Sequence, residues 1–333
     1  MGYKVAVVGA TGNVGRGVLK ELAQSKIEVD KVFALASEKS SGKEVSYGDN
    51  NLTVRKLSDF NFDDADIVFF GTRAKVSKEY VILASKKAKL VVDLSSYFRM
   101  DKDIPLVVPE VNLKSLALAK KNKIVTNPNC VVIPMVVALK KLHDFAKISR
   151  IVVSTYQSVS GAGKEAMDNL YSQARNKMFN AFAESNSKEQ IAFNIIPKID
   201  VFAESGYTQE EIKVMGETKK ILSEDIEVSA TCVRIPVFIG HSMSVNVEFS
   251  KDISPQMAYD ILENAEGITT DKKHNTQYFT PLDCVGEDDV FVSRIRQDTK
   301  NNILNLWIVS DNLRKGAGLN AIQIAEKYIE LYL

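Results

Sequence analysis

The first 130 residues alternate short β-branched and aromatic runs with stretches whose apolar positions recur at helical spacing. YKVAVVGA gives way to RGVLKELAQS and then KVFALAS; DADIVFFGT, VSKEYVILASKKA, KLVVDLSS and KIVTN follow. Continuous apolar strands separated by helical segments predict a parallel sheet with crossover helices. From Ile151 the texture changes. RIVVSTYQSVS, VSATCVRIPVFIG, SMSVNVEFS, DVFVSRIRQD and NILNLWIVSD alternate apolar and polar positions over longer stretches, the period of a half-covered sheet that is largely antiparallel or mixed. Polar helical stretches lie between them: KEAMDNLYSQARNKMFNAF, TQEEIKVMGETKKILS and SPQMAYDILENAEG, the last opened by a serine cap and a proline at its first helical position. The terminal NAIQIAEKYIELYL is amphipathic again and is expected to return to the first domain.

At 333 residues the chain exceeds what one hydrophobic core usually supports, so two domains are expected. Lys+Arg 43 against Asp+Glu 42 leaves a net charge of +1, and no global field selects nucleic acid or an acidic membrane surface. The expected partner is a small molecule. No apolar run reaches membrane-span length, and MGYKVAVVGATG turns to glycine too soon for a secretory signal. Cys130, Cys232 and Cys284 lie far apart without a CxxC pair, which argues against zinc and a disulfide framework and fits a reducing cytoplasm.

Gly9, Gly12 and Gly15 in GATGNVG follow the strand KVAVV and open the helix RGVLKEL. The spacing is GxxGxxG rather than GxGxxG, yet the mechanics are shared: a tight turn, close backbone approach to a pyrophosphate, and helix N–H groups aimed at the anion. After the second strand, where an NAD site usually places an acidic residue for the ribose, LASEKSSGK offers Ser37, Lys39, Ser40 and Ser41 around a single Glu38. Those donors suit a 2′-phosphate, so NADP is favoured, with Glu38 keeping NAD open.

In TNPNCVVIP, Cys130 stands after a Pro-Asn turn at the mouth of an apolar helical run. The helix dipole and its N–H groups stabilise a thiolate there, and the amides of Asn127 and Asn129 are candidate oxyanion donors. Cys232 and Cys284 read as small buried hydrophobes. His143 in KKLHDF and His274 in KKHNT read as solvent-facing, whereas His241 emerges at a Gly-His break between two apolar strands. It is either a general acid/base or a satisfied loop histidine. Arg234 interrupts the apolar RIPV and needs a partner, either a substrate carboxylate or an internal ion pair. Arg99 ends another apolar strand. Glu210 and Lys213 share a helix face, but Glu217 and Lys220 repeat the spacing. A surface ion pair serves both, so spacing alone does not choose between them.

Taken together these residues resemble one family, the aspartate-β-semialdehyde dehydrogenases. The likeness runs through GATGNVG (9–15), LASEKSSGK (35–43), VSKEY (76–80), PLVVPEVN (105–112), NPNC (127–130), IVVSTYQSVSGAG (151–163), EEIKVMGETKKIL (210–222), SATCVRIPV (229–237), GHSMSVNVE (240–248) and WIVSDNLRKGAGLNAIQIAE (307–326). The resemblance implies an α/β protein: an N-terminal Rossmann-type dinucleotide-binding domain over residues 1–128, completed by a C-terminal helix at 313–333, and an α+β catalytic and dimerisation domain with a mixed sheet over 129–312. It implies a cytoplasmic homodimer or homotetramer without metal that uses NADPH to convert L-aspartyl 4-phosphate to aspartate 4-semialdehyde and phosphate through a thioester. In that scheme Cys130 is the nucleophile, His241 the acid/base and Gln157 the group orienting the acyl carbonyl. Arg234 and Glu210 hold the substrate, and Arg99, Lys213 and Asn129 the phosphate. Gly9, Thr11, Gly12, Asn13, Val14, Ser37, Lys39, Ser40, Ser160, Gly161 and Asn312 contact the cofactor.

Two positions depart from the family's pattern. Val131 replaces the usual hydroxyl residue after the cysteine, so no side-chain cap comes from it. GTRA stands for a glycine-rich segment, with Arg73 and Ala74 where small residues are usual, and Arg73 either narrows the groove or adds a phosphate contact. N-acetylglutamyl-phosphate reductase shares the glycine turn and thioester chemistry, but its motif resembles NPGC, so Asn129 and YQSVSGAG favour the aspartyl enzyme. A cofactor-independent Cys-His acyl hydrolase and a non-catalytic dinucleotide sensor are the alternatives from other classes.

Overall fold

The computed structural model describes residues 2–179, 189–271 and 277–333. The chain divides into two compact units, Met1–Asn129 with Gly316–Leu333, and Cys130–Lys315.

The first unit carries β1 (Tyr3–Val8), β2 (Val29–Ala36), a hairpin of β3 (Glu44–Tyr47) and β4 (Asn50–Thr53), then β5 (Arg55–Lys56), β6 (Ile67–Phe70), β7 (Leu90–Asp93) and β8 (Ile124–Thr126). Apart from the hairpin these strands form one sheet in the order β5-β2-β1-β6-β7-β8, parallel at every pairing. Helices Asn13–Gln24 and Ala74–Ser85 make the crossovers β1 to β2 and β6 to β7, as the alternation of apolar runs predicted. Strand β1 shows why those runs are continuous. Val5 and Val7 join a core with Leu19 and with Ile324 and Tyr328 of the terminal helix Leu319–Tyr332, while Ala6 and Val8 join the opposite core with Phe33, Phe70 and Val81. Both faces are covered, so both parities must be apolar.

The second unit is built on β9 (Ile148–Gln157), β10 (Glu227–Arg234), β11 (His241–Phe249), β12 (Ile268–Thr270), β13 (Val290–Gln297) and β14 (Ile303–Ser310), in the order β10-β9-β11-β14-β13-β12. The sheet is mixed: β10 runs parallel to β9 and β12 to β13, and the other neighbours are antiparallel. The helix Val132–Ala146, apolar through most of its length, packs against β13 and β14. The helix Gln209–Ile221 lies along the edge strand β10. Helix Pro255–Leu262 has the serine cap the sequence suggests, Met257 N–H donating to Ser254 Oγ at 3.2 Å. Among the described residues no helix is long and apolar enough to cross a membrane.

Two strand readings are shortened. SATCVRIPVFIG leaves the sheet after Arg234, where Pro236 has no N–H for a ladder. KLVVDLSSYFRM stops being a strand at Asp93, so Arg99 sits in a turn rather than at a strand end. The cause is Asp93 itself: its buried carboxylate accepts from Ser95 N–H (3.0 Å), Ser95 Oγ (2.9 Å) and Ser77 Oγ (2.8 Å), folding the chain back. Burial raises the Asp93 pKa, with the serines and the charge of Arg99 opposing it.

Candidate active site

Sheet topology converges four chain segments at one end of the second unit. Parallel β9 and β10 end side by side, Gln157 opposite Arg234. Antiparallel β11 starts at that end with His241, paired with Ser310, the last residue of β14. Asn312 follows two residues later. Gln157, Arg234, His241 and Asn312, separated by up to 155 residues in sequence, become neighbours by strand direction alone.

His241 is fully buried. Its Nδ1 accepts a hydrogen bond from Ser158 N–H at 3.0 Å, and Ser158 Oγ lies 3.1 Å away. Asn312 ties the surrounding loops together. Its Oδ1 accepts from Gly240 N–H (2.9 Å), Ser158 Oγ (3.2 Å) and Ser160 Oγ (3.2 Å), while its Nδ2 lies 2.9 Å from Ser160 Oγ. The other ring nitrogen, Nε2, is buried without a hydrogen-bond partner among the described residues. A methyl group on Gly161 would sit 3.4 Å from that Nε2 and 3.7 Å from Arg234 Nη1. Glycine there lets the loop pack close against both the imidazole and the guanidinium. Burial, reinforced by the positive charge of Arg234, pulls the His241 pKa down to about 3, with Glu210 and the Gly240 carbonyl opposing.

Arg234 donates through Nη1 to the Ser158 carbonyl. Burial lowers its pKa, and the negative charges of ionised Cys130 and Glu210 pull it back. Cys130 is half-buried. It lies just ahead of Val131, the residue capping the helix Val132–Ala146, whose first turn holds no acidic residue. Gln157 is clamped at both ends of its amide, accepting from Thr155 Oγ1 at 3.0 Å and donating to Glu210 Oε1 at 3.2 Å. Glu210 also pairs through Oε2 with Lys213 at 3.0 Å, and Lys213 reaches Asp200 at 3.0 Å. The two carboxylates outweigh burial and hold the Lys213 pKa above its ordinary value.

Glu210 is held there by its neighbour. Glu211 closes a capping box with Thr208 and accepts the Cys232 N–H of the edge strand β10 at 3.0 Å. One carboxylate thus caps the helix and fastens it to the strand. Glu217 is not the surface partner that its spacing allowed: it is fully buried. Cys232 and Cys284 are buried thiols, each pushed up to about 12 chiefly by burial. His143 is half-buried rather than solvent-facing, its Nδ1 accepting from Ile148 N–H at 3.2 Å. His274 lies outside the described residues.

In the first unit the glycine turn connects β1 to its helix. Gly9 has φ +83°, and a Cβ on it would lie 2.4 Å from the Gly71 carbonyl oxygen; one on Gly15 would lie 2.1 Å from the Gly9 carbonyl oxygen. No side chain caps Gly12 and no acidic residue occupies the first turn, which holds Asn13 and Val14. That cradle fits an anionic pyrophosphate. Thr11 and Ser40 hydroxyls meet at 3.5 Å, joining the turn to the Glu38–Ser40 loop, where Ser37 and Lys39 are exposed and Glu38 pairs with Lys56 at 3.3 Å. Arg99 is buried and donates from Nη2 to Leu94 O at 2.9 Å. Asn129, also buried, ends this unit's first segment. Asn127 is engaged on both sides of its amide: its Nδ2 donates to Pro128 O at 3.2 Å and its Oδ1 accepts from Asn320 at 2.8 Å.

Residues 4–119 match the semialdehyde dehydrogenase NAD-binding domain, and residues 139–315 match the semialdehyde dehydrogenase dimerisation domain. The chain is 50% identical to aspartate-semialdehyde dehydrogenase of Rickettsia conorii, covering 99% of both chains. It is 48% identical to that of Aquifex aeolicus, again over 99% of both. A crystal structure of aspartate semialdehyde dehydrogenase II from Vibrio cholerae complexed with ASA superposes with TM-score 0.97 at 42% identity, covering 100% of both chains. The chain belongs to the aspartate-semialdehyde dehydrogenase family.

The two departures from the dehydrogenase pattern are local. Val131 is buried at the cap position of the helix after Cys130 and provides no side-chain cap. Arg73 is exposed at the cap of helix Ala74–Ser85. Sequence reading also passed over residues that hold the predicted ones in place. Glu211 had a legible signal, the Thr-x-x-Glu box. Asp93 and Ser158 had none, because each acts through partners that only the fold supplies.

Proposed function

We propose that the protein catalyses the reversible NADPH-dependent reductive dephosphorylation of L-aspartyl 4-phosphate to L-aspartate 4-semialdehyde and phosphate, in the biosynthesis of lysine, methionine and threonine. The observation carrying this reading is the placement of Gln157, Arg234 and His241 at one end of the sheet, with His241 Nε2 and Arg234 Nη1 both next to Gly161 and an ionised Cys130 close enough to raise the Arg234 pKa. A thiolate, a hydrogen-bonding imidazole and a guanidinium are what acyl transfer from a carboxylate-bearing substrate requires.

In the biosynthetic direction the Cys130 thiolate attacks the acyl carbon and the phosphate departs, leaving a thioester. Arg234 takes the substrate carboxylate and Glu210 its ammonium group, while clamped Gln157 orients the acyl carbonyl. Arg99, Lys213 and Asn129 receive the phosphate. The nicotinamide cofactor, when bound, supplies the hydride that reduces the thioester, after which Cys130 leaves as thiolate. Gly9, Thr11, Gly12, Asn13 and Val14 would hold the pyrophosphate side of the dinucleotide, and Ser160, Gly161 and Asn312 would contact it from the second domain. NADP over NAD is supported by Ser37, Lys39 and Ser40 at the end of β2 and by the engagement of Glu38 with Lys56. A homodimer or homotetramer in the cytoplasm is the accompanying expectation.

The test is an assay with NADP and NAD, each against aspartate semialdehyde and N-acetylglutamate semialdehyde, with and without phosphate. Phosphate-stimulated NADPH formation from aspartate semialdehyde is expected. Preference for the acetylated substrate favours the glutamyl reductase. Acyl phosphate hydrolysis indifferent to cofactor favours the hydrolase.

A further inference from the structure

Lys213, a cation assigned to phosphate in the proposed reaction, is already engaged by carboxylates. Its Nζ donates to Asp200 Oδ2 at 3.0 Å and pairs with Glu210 Oε2 at 3.0 Å. One ammonium against two carboxylates leaves the trio with a net charge of −1, the wrong sign for receiving an anion. The two carboxylates are not equivalent. Glu210 is buried, and its other oxygen accepts from Gln157; in the proposed reaction it also receives the substrate's ammonium group, which cancels its charge. Asp200 is exposed over 42% of its side chain and meets no substrate group in that scheme. Its placement is nonetheless built into the fold. Asp200 has φ +70°, a left-handed conformation that Asp and Asn tolerate better than other non-glycine residues. Its Oδ1 accepts from Val201 N–H at 2.9 Å. The chain then doubles back to the start of the helix Gln209–Ile221, with Phe202 bridged to Thr208 and Gln209 N–H donating to Val201 O at 2.9 Å. A left-handed residue and a short antiparallel return thus aim this carboxylate at Lys213.

We propose that Asp200 is a resident competitor for phosphate: its carboxylate occupies Lys213 in the free protein and is displaced from that ammonium when phosphate or the acyl phosphate binds, so that Asp200 sets how weakly phosphate is held. The inference rests on the assignment of Lys213 to phosphate in the proposed function and adds the group that opposes it. Asp200 touches no reacting atom and transfers no proton; it determines affinity. An ammonium has three N–H donors and no acceptor, and the partly exposed Asp200 is the partner that can swing away, whereas Glu210 is fixed by Gln157. In the biosynthetic direction phosphate is a product, and a carboxylate that returns to Lys213 favours its departure. In the reverse direction the same carboxylate raises the phosphate concentration needed for turnover.

The test is the steady-state kinetics of D200N in the direction that forms NADPH, with phosphate and aspartate semialdehyde varied separately. Asparagine keeps the left-handed backbone and an oxygen for Val201 N–H, and removes only the charge. The KM for phosphate should fall at least about 3-fold, the weight of a partly exposed charge pair, while the KM for aspartate semialdehyde stays unchanged. Added salt should narrow the gap between variant and wild type, because exposed charges are screened. D200G, which also accepts φ +70°, should show the same fall and carries the test if D200N fails to fold. A phosphate KM that is unchanged or raised overturns the proposal, the raised value meaning that Asp200 steadies Lys213 for phosphate. Equal shifts in both KM values also overturn it, as a distorted loop would produce. Phosphate titration by calorimetry gives the same comparison without turnover, with tighter binding expected in D200N. Wild-type NADPH formation from aspartate semialdehyde and phosphate tests the reaction itself, so failure of the reaction and failure of this role are distinguishable.

Discussion

The glycine turn of the first unit and the side-chain cluster of the second solve opposite problems. At the turn, function follows from what is missing: a Cβ on Gly9 or Gly15 would lie within 2.4 Å of a carbonyl oxygen, so backbone packs directly on backbone and the helix mouth stays open for an anion. In the cluster, function follows from side chains that lock one another, with Gln157 held by Thr155 and Glu210, Lys213 held by Glu210 and Asp200, and His241 held by Ser158. A backbone cradle tolerates change in whatever lies above it but no added atom beneath. A side-chain cluster tolerates small shifts of backbone but not the loss of a partner.

That contrast is broken most severely at Cys130. Cys130→Ala should lower turnover by roughly 10,000-fold or more, as loss of a covalent nucleophile does, while cofactor affinity measured by fluorescence titration stays near wild type. Retained turnover removes the thioester from the account. Next comes Arg234→Lys, which replaces a planar fork by a point charge. It should raise the KM for aspartate semialdehyde by about 10- to 100-fold, the weight of a charge-assisted bidentate contact, again without moving cofactor affinity.

The mirror experiment is Gly9→Ala. The left-handed φ of +83° and the short approach to Gly71 O should cost about 1–3 kcal/mol of stability and weaken the cofactor by at least about 10-fold. Acylation of Cys130 by the acyl phosphate, which releases phosphate and needs no cofactor, should persist. If it disappears too, the two sites are not separable in the way the comparison supposes.

These differences also explain what could be read from the sequence. The parallel and mixed sheets were legible because burial of both faces, or of one, writes a continuous or alternating apolar pattern. The glycine turn was legible because steric need leaves a residue type behind. Cys130 stood out by its place at a helix mouth and His241 by its place at a strand start. What periodicity does not encode is pairing across long separations. Asn127 gave no sign that its amide oxygen accepts from Asn320, Glu217 looked superficial until the fold buried it, and Arg99 looked strand-terminal until Asp93 turned the chain. Ser158 carried no signal at all, since its contribution to His241 includes a main-chain N–H that any residue would supply.

A further effect, on stability alone and not on turnover at neutral pH, appears in acid. His241 is held near a pKa of about 3, whereas in the unfolded chain it titrates near about 6.5. Between those values the unfolded state binds the extra proton, so this contribution is fully present above about pH 6.5 and is lost as the pH falls toward 3. The slope is at most about 1.4 kcal/mol per pH unit. Urea unfolding of wild type and H241Q across that range should show the slope reduced in the variant. Parallel slopes would mean the ring is not desolvated.

The most direct test is a rapid-mixing experiment with aspartate semialdehyde and NADP in the absence of phosphate. The thiolate of Cys130 should form its thiohemiacetal and pass the hydride on, giving a burst of NADPH stoichiometric with enzyme. Turnover then stalls until phosphate is added, and the stalled protein gains the mass of the aspartyl group. No burst in wild type, or an equal burst in Cys130→Ala, would contradict the account.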